Sequence, residues 1–477
     1  MPHILTMNNQ CLIKTKNKVV VIGSGVGGSA SAALLAKSGY DVTLIEQHPF
    51  LGGRCATMER NGFQYDFGVH MFSRGDKGTH GQVNRELDGR LEWIKRDPPC
   101  RVMGKIEFDF PLDINPLGNQ IHLARKLGIK FTNLIGAFRL FRSLMNPGPS
   151  EEYDDLLLSE YISRFTSDDN IHLFLNCLCQ LYFALSYREA SAGEFIWCFS
   201  RMFKDASFGY PRGGGRAIPG SFLESLKRNN GNIVYKQQVV NIVVENGIAV
   251  GVRASDKLYP ADIIISNTGI SRTIELAGKE NFPEDFASRA EGNIYSNAYI
   301  TVKYALSKPV IPYPVVFYMP DMPGPSVFNY IKDRSIPEDP FLFIPVPSNM
   351  DPTLAPSGKQ LVIAGTAAPP GASKKLCDAI INLVDKKINQ LFPDIKNAIM
   401  WKIYSTADDI TGLTNHCSGA CIGLGQIPGQ VGINRPSHET PIKNLWMVGA
   451  DVGSRGIGTE MASGSALNLV NIIKQKY

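Results

Sequence analysis

The chain has 477 residues, 44% of them apolar and 19% charged, with a formal net charge of +5. This length exceeds what one hydrophobic core fills, so two domains are expected, and the composition excludes a disordered or fibrous chain. The small positive charge comes with no long Lys/Arg run, which argues against a nucleic-acid partner and suits an anionic cofactor or membrane surface.

The nine cysteines are scattered and odd in number, as expected of reduced thiols in a cytoplasmic setting. Residues 1–18 hold no apolar core of signal-peptide length, and no run reaches the roughly 18 uninterrupted apolar residues of a membrane span. A cytoplasmic location follows as the expectation, with peripheral contact to a membrane left open.

In chain order, residues 18–22 form a short β-branched run that predicts a fully buried strand. A glycine cluster follows, then a helix over 28–37 ended by Gly39, and a second buried strand over 41–46. This β-α-β order within about 30 residues is the minimal dinucleotide-binding unit. Residues 123–158 and 171–204 carry helical apolar spacing interleaved with aromatics. Strands return at 233–240 and 241–244, and Asn246-Gly247 signals a hairpin into 248–252. A further buried strand is predicted at 261–265. Twelve prolines between Pro309 and Pro356 predict edge strands and irregular connections. A helix is predicted over 378–392, a strand over 444–448 and a helix from about 459.

Gly23-Ser24-Gly25-Val26-Gly27-Gly28 fits G-x-G-x-x-G between the first strand and the first helix. Gly23 permits the tight turn, Gly25 lets backbone approach a pyrophosphate, and Gly28 allows close helix–strand packing. The helix N-terminus offers N–H groups and dipole to phosphates. Glu46 ends the second strand, where it can accept both hydroxyl hydrogens of an adenosine ribose. Leu51-Gly52-Gly53-Arg54 and Gly62-Phe63-Gln64-Tyr65-Asp66-Phe67-Gly68 then point to FAD, because Gly53 and its neighbour let the chain run along an extended cofactor. Arg54 supplies a fixed cation. Near the C-terminus Met447-Val448-Gly449-Ala450-Asp451 closes a strand with an acid, and residues 456–464 open a helix toward the flavin pyrimidine.

These segments, with Tyr210-Pro211-Arg212-Gly213-Gly214-Gly215, Gly423-Leu424-Gly425-Gln426 and Arg435-Pro436, resemble the phytoene desaturase and retinol saturase group of flavoproteins, within the amine-oxidase-like fold. The resemblance covers nearly the whole chain. It implies an α/β architecture: a Rossmann-type, glutathione-reductase-like FAD-binding domain (16–72, 208–270 and 436–477) with a discontinuous α+β substrate domain (73–207 and 271–435). It further implies adenine contact through the backbone of Val239, a bond from Asp451 to the ribityl or pyrophosphate region, and Met461 over the pyrimidine edge. Two departures stand out. The loop after Asp451 reads Val452 to Glu460 rather than Pro-Gly-Gly, and Gly68-Val69-His70 is closer to the saturases.

The function expected is addition or removal of hydrogen across a carbon–carbon bond of a hydrophobic, isoprenoid or polyene substrate. Flavin-dependent double-bond isomerisation, amine oxidation and non-enzymatic lipid binding are the alternatives. His70 is a candidate general acid, beside the plainer reading of a packed histidine. Glu460 is a second catalytic candidate, with Thr459 as N-cap, and its plainer role is a dipole partner in the first helical turn. Cys417 and Cys421 with one histidine are too few for a structural zinc site, so no metal is expected. Residues 125–144 interleave Arg125, Lys126, Lys130, Arg139 and Arg142 with aromatics and aliphatics, which suits either an anionic membrane surface or a core-facing helix. With a single fingerprint, no dedicated NAD(P)H site is expected, and the electron partner is left open.

Overall fold

The computed structural model describes residues 17–68, 71–415 and 419–477. A five-stranded parallel sheet runs in the order Leu445–Met447, Ile263–Ser266, Lys18–Ile22, Asp41–Ile45, Asn232–Val234. Its strands come from the beginning, middle and end of the chain. They are apolar almost throughout because both faces are covered, as parallel sheets require. Helices Val26–Lys37, Ala217–Arg228 and Gly458–Lys476 cover one face. The other carries the three-stranded sheet Val239–Glu245, Ile248–Ala254, Lys257–Pro260. Its first turn is Asn246-Gly247, with φ of +51° and +75°, the left-handed pair that a two-residue hairpin needs.

The second layer is a mixed seven-stranded sheet in the order Ile399–Ser405, Ala298–Leu306, Gln360–Ala368, Leu342–Pro345, Val315–Met319, Cys100–Gly104, Phe108–Phe110. Tyr299, Phe317 and Phe343 point into a core shared with helices Asp169–Phe183 and Ala192–Asp205. Ile300, Val302 and Tyr304 point the opposite way, onto helix Lys374–Leu391. Alternation along one strand thus splits the two cores.

The proline-rich region corrects the sequence reading. Val315–Met319 and Leu342–Pro345 are paired on both sides and lie inside the sheet. Pro314, Pro320 and Pro340 stand just outside the strands, and Pro345 is the last residue of its own. A missing N–H is tolerated at such ends, so the prolines bracket the strands rather than force them to an edge.

The 123–158 region resolves into helices Leu117–Lys126, Leu134–Met145 and Leu158–Ser163. Leu123, Leu127, Leu140 and Leu144 are buried in the core. Phe131, Ile135 and Phe138 are 87%, 77% and 51% exposed.

Candidate functional site

The first strand delivers Gly23 at φ +92°, and Gly25 caps helix Val26–Lys37. A side chain at Gly28 would place Cβ 2.1 Å from the Gly23 carbonyl oxygen, so only glycine fits. The loop packs against Asn267 and Gly449, while Gly25 pairs with Gly52 through an isolated bridge. Three backbone segments therefore converge at the helix N-terminus, the position that suits a phosphate.

Glu46 is buried at the end of the second strand. Its Oε2 accepts from the Ser24 N–H at 2.9 Å and the Ser24 hydroxyl at 2.6 Å, and its Oε1 from the His48 N–H at 2.9 Å. A carboxylate has about four acceptor sites, so this orientation leaves one to spare. Glu46, Val239, Gly53, Arg54 and Asp451 all line one cavity of about 270 Å³.

Asp451 is 3% exposed. Its Oδ1 accepts from the Leu424 N–H at 3.0 Å, whereas Oδ2 is buried without a hydrogen-bond partner among the described residues. Arg54 donates through Nη2 to the Ala420 carbonyl at 3.3 Å, and its Nε is also unpartnered. Burial lowers the Arg54 pKa, and the charge of Asp451 works against that shift. Unsatisfied buried polar atoms are rare in folded proteins. Here an acceptor and a donor of opposite charge stand in one cavity wall.

Glu460 and Met461 depart from the expectation. Helix Gly458–Lys476 is capped by Ile457, with no side-chain cap from Thr459. Gly458, Thr459 and Ala462 line the cavity. Glu460 turns away: its Oε1 accepts from the Thr79 N–H at 3.1 Å and pairs with Arg74 Nη1 at 3.1 Å. Burial raises its carboxyl pKa and Arg74 opposes the rise. Glu460 is therefore a tie between the helix start and the 74–79 segment, not a group facing a ligand. Met461 is fully buried beside Gly456 and is not part of the lining. At about 100° per residue, a helix turning 458, 459 and 462 toward the cavity carries 460 and 461 off that face. His70 lies outside the described residues, as does Cys417. Among the described residues no three His, Cys, Asp or Glu side chains come together as metal ligands.

Beyond Arg54 the cavity turns apolar, lined by Met71, Leu181, Tyr182, Tyr299, Phe343 and Ile422. Met71 and Tyr182 also line a second chamber walled by Phe110, Phe174, Phe203 and Phe317. Helix Leu134–Met145 packs on this region, with the Phe141 and Phe203 rings 6.2 Å apart.

Residues 21–87 match the model of the NAD(P)-binding Rossmann-like domain. Similarity to curated proteins extends much further. A zeta-carotene-forming phytoene desaturase of Myxococcus xanthus is 26% identical over 91% of this chain and 89% of that protein. An all-trans-retinol 13,14-reductase of Macaca fascicularis is 23% identical over 93% and 84%. A chloroplastic prolycopene isomerase of Daucus carota is 25% identical over 90% and 75%. The chain is thus similar along most of its length to a phytoene desaturase, a retinol 13,14-reductase and a prolycopene isomerase. Its fold matches an oxidoreductase structure from Methanosarcina mazei, with a TM-score of 0.74 at 22% identity over 95% of this chain and all of that one. A putrescine oxidase shares the fold with a TM-score of 0.65, at 14% identity over 97% of this chain and 99% of that one.

Two features of this chain escaped sequence reasoning. Asp66 joins the 62–68 and 210–215 segments: its Oδ1 accepts from Thr57 at 2.7 Å and the Gly215 N–H at 2.9 Å, and its Oδ2 from the Tyr210 hydroxyl at 2.6 Å. Both segments carry the cofactor reading and the resemblance through their glycines, and Asp66 is the one acid within the first of them. The second feature is Lys303, a lysine inside a nine-residue strand that is buried throughout.

Proposed function

We propose that the chain holds FAD and adds or removes hydrogen across a carbon–carbon bond of a hydrophobic, isoprenoid or polyene substrate. The observation that carries this reading is one continuous cavity. It includes the glycine loop and Glu46, Asp451 with an Oδ2 unpartnered among the described residues, and Leu181, Tyr182, Tyr299 and Phe343. The residues present fit the cofactor. Glu46 would hold the adenosine ribose, the loop from Gly23 to Gly28 the pyrophosphate, and the Val239 backbone the adenine. Asp451 would accept from a hydroxyl in the ribityl or pyrophosphate region, and Arg54 would place a cation beside phosphate or ring. Bound flavin supplies hydride transfer. The chain's own share is to orient the substrate and to keep water from the apolar end.

The purified protein is expected to show flavin absorption, and acid treatment is expected to release FAD into solution. Incubation with a polyene should change product mass by two hydrogens. Failure to bind FAD after reconstitution overturns the reading. The prolycopene isomerase relatives support a second one, in which reduced flavin rearranges a double bond and product mass is unchanged.

We also propose that the 117–145 region rests on an anionic membrane. The leucines that a core needs are already buried, yet Leu117, Ile121, Phe131, Ile135 and Phe138 stay exposed among five exposed basic residues. No helix among the described residues is long and apolar enough to cross a membrane. Each cation near an anionic surface contributes about 1 kcal/mol, screened by salt. Binding to anionic vesicles should weaken with added salt and with Arg139→Glu/Arg142→Glu. Absence of vesicle binding at low salt overturns this surface.

A further inference from the structure

Strand Ala298–Leu306 sends Tyr299, Thr301, Lys303 and Ala305 to one face. Tyr299 and Thr301 line the cavity, and Ala305 packs with Phe63 and Leu361. Lys303 lies between them, 1% exposed, just behind the cavity wall. Its Nζ donates to Thr301 Oγ1 at 2.6 Å and to Ser405 Oγ at 2.6 Å, and both hydroxyl residues line the cavity. The Phe67 ring, also in the lining, is 5.5 Å away. The flanking strands place Gly365 and Ser405 beside Thr301, and Ile363 and Ile403 beside Lys303. None of these neighbours carries a charge.

No carboxylate among the described residues pairs with Lys303. The acids that act on it from a distance are Asp66 and Asp409. Asp66 already accepts three hydrogen bonds, and Asp409 is committed to the N-terminus of helix Ala407–Thr414 through Thr406 N and Oγ1. Burial therefore dominates, and it pulls the ammonium down to about 7 against the weaker pull of those acids. A lysine in an apolar niche, bonded among the described residues only to two hydroxyls that face a cavity, is poised to gain and lose a proton.

We propose that Lys303 stores and delivers the proton of the reaction, exchanging it with the ligand in the cavity through the hydroxyls of Thr301 and Ser405. This rests on the hydrogen-transfer reading above. When hydrogen is removed, one carbon would give up hydride, with its electron pair, to a flavin held in the cavity. The neighbouring carbon gives up a proton, and the pair of electrons from that C–H bond forms the double bond. That proton passes to a hydroxyl oxygen as the hydroxyl's own proton passes to the neutral amine of Lys303. Addition of hydrogen runs each transfer backwards from the ammonium. In both directions the hydroxyls are restored and one proton moves between carbon and Nζ.

Lys303→Met removes the titrating group and keeps the volume. The difference in unfolding midpoint between wild type and this variant, measured from about pH 6 to about 9.5, tests the ionisation. The unfolded chain holds the lysine proton up to its ordinary range, whereas the folded chain releases it near 7. Wild type should therefore gain stability relative to the variant as pH rises through that window. The midpoint potential of bound flavin against pH tests the coupling without any substrate. Around pH 7 the wild-type profile should differ from those of Lys303→Met and of Thr301→Val/Ser405→Ala, which keep only the ionisation of the flavin itself. With a polyene substrate, Lys303→Met should lose about 10²-fold in turnover at unchanged flavin content. Superimposable stability and potential profiles in wild type and Lys303→Met overturn the proposal. If no polyene is turned over by wild type, the functional reading fails while the potential profile still decides the relay.

Discussion

Asp451→Ala is expected to strip the cofactor from a protein that remains folded. The Oδ2 atom is buried with no partner among the described residues, so without cofactor the carboxylate does little for the fold through that oxygen. Each charge-assisted hydrogen bond lost to the cofactor is worth about 1.5–3 kcal/mol, or roughly 10- to 150-fold in dissociation constant. Asp451→Asn separates the two roles of the side chain, because its amide oxygen can still accept from the Leu424 N–H that Oδ1 holds now. Glu46→Ala should weaken retention by a similar factor at the far end of the cavity. It also frees the Ser24 N–H and hydroxyl, which loosens the glycine loop. Flavin fluorescence titration of each apoprotein gives the constants, and thermal unfolding of the same samples checks the fold. Equal FAD affinity in wild type, Asp451→Ala and Glu46→Ala would remove both residues from the cofactor site.

The parts that sequence made legible are those whose structure is local. Strand Lys18–Ile22 falls where its β-branched run predicts, and helix Val26–Lys37 starts two residues before the expected 28. Asn246-Gly247 makes its hairpin from backbone preference alone. The direction of a side chain is a different matter. Glu460 and Met461 sit in a first helical turn whose rotation is fixed by packing against Arg74, Thr79 and Gly456, all distant in sequence or outside the helix. Lys303 shares a face with Thr301, as an exposed lysine on a half-buried strand would. Only the layers that cover both faces of that sheet turn it inward, and nothing within the strand records them. The 125–144 segment could not be assigned to core or surface because it serves both. Leu140 and Leu144 face in, while Ile135 and Phe138 face out.

Arg455→Met is expected to cost about 3–5 kcal/mol of stability, the usual consequence of leaving one member of a buried ion pair alone. Arg455 follows Asp451 in the loop that enters helix Gly458–Lys476, whose first turn faces the cavity. Its Nη1 donates to Asp154 at 3.0 Å and to Glu194 at 2.8 Å, and Nη2 pairs with the second oxygen of Asp154. Glu194 is 1% exposed. Its other oxygen accepts from the Gly456 N–H at 2.9 Å and Gln426 at 3.2 Å. Burial holds the Glu194 carboxyl above its usual range even with Arg455 beside it, and loss of the cation drives it higher. A carboxyl raised in the folded state binds more protons there than in the unfolded chain, so stability is lost as pH rises through that window. The deficit of Arg455→Met should accordingly be smallest in acid and widen toward neutral pH. Adding Glu194→Gln removes the stranded charge and should recover part of the loss at neutral pH with little effect in acid. Denaturant unfolding of wild type, single and double variants across that range reads both effects. A deficit that is the same in acid and at neutrality would mean that Arg455 acts through packing, and that Glu194 does not carry the charge that fixes this loop.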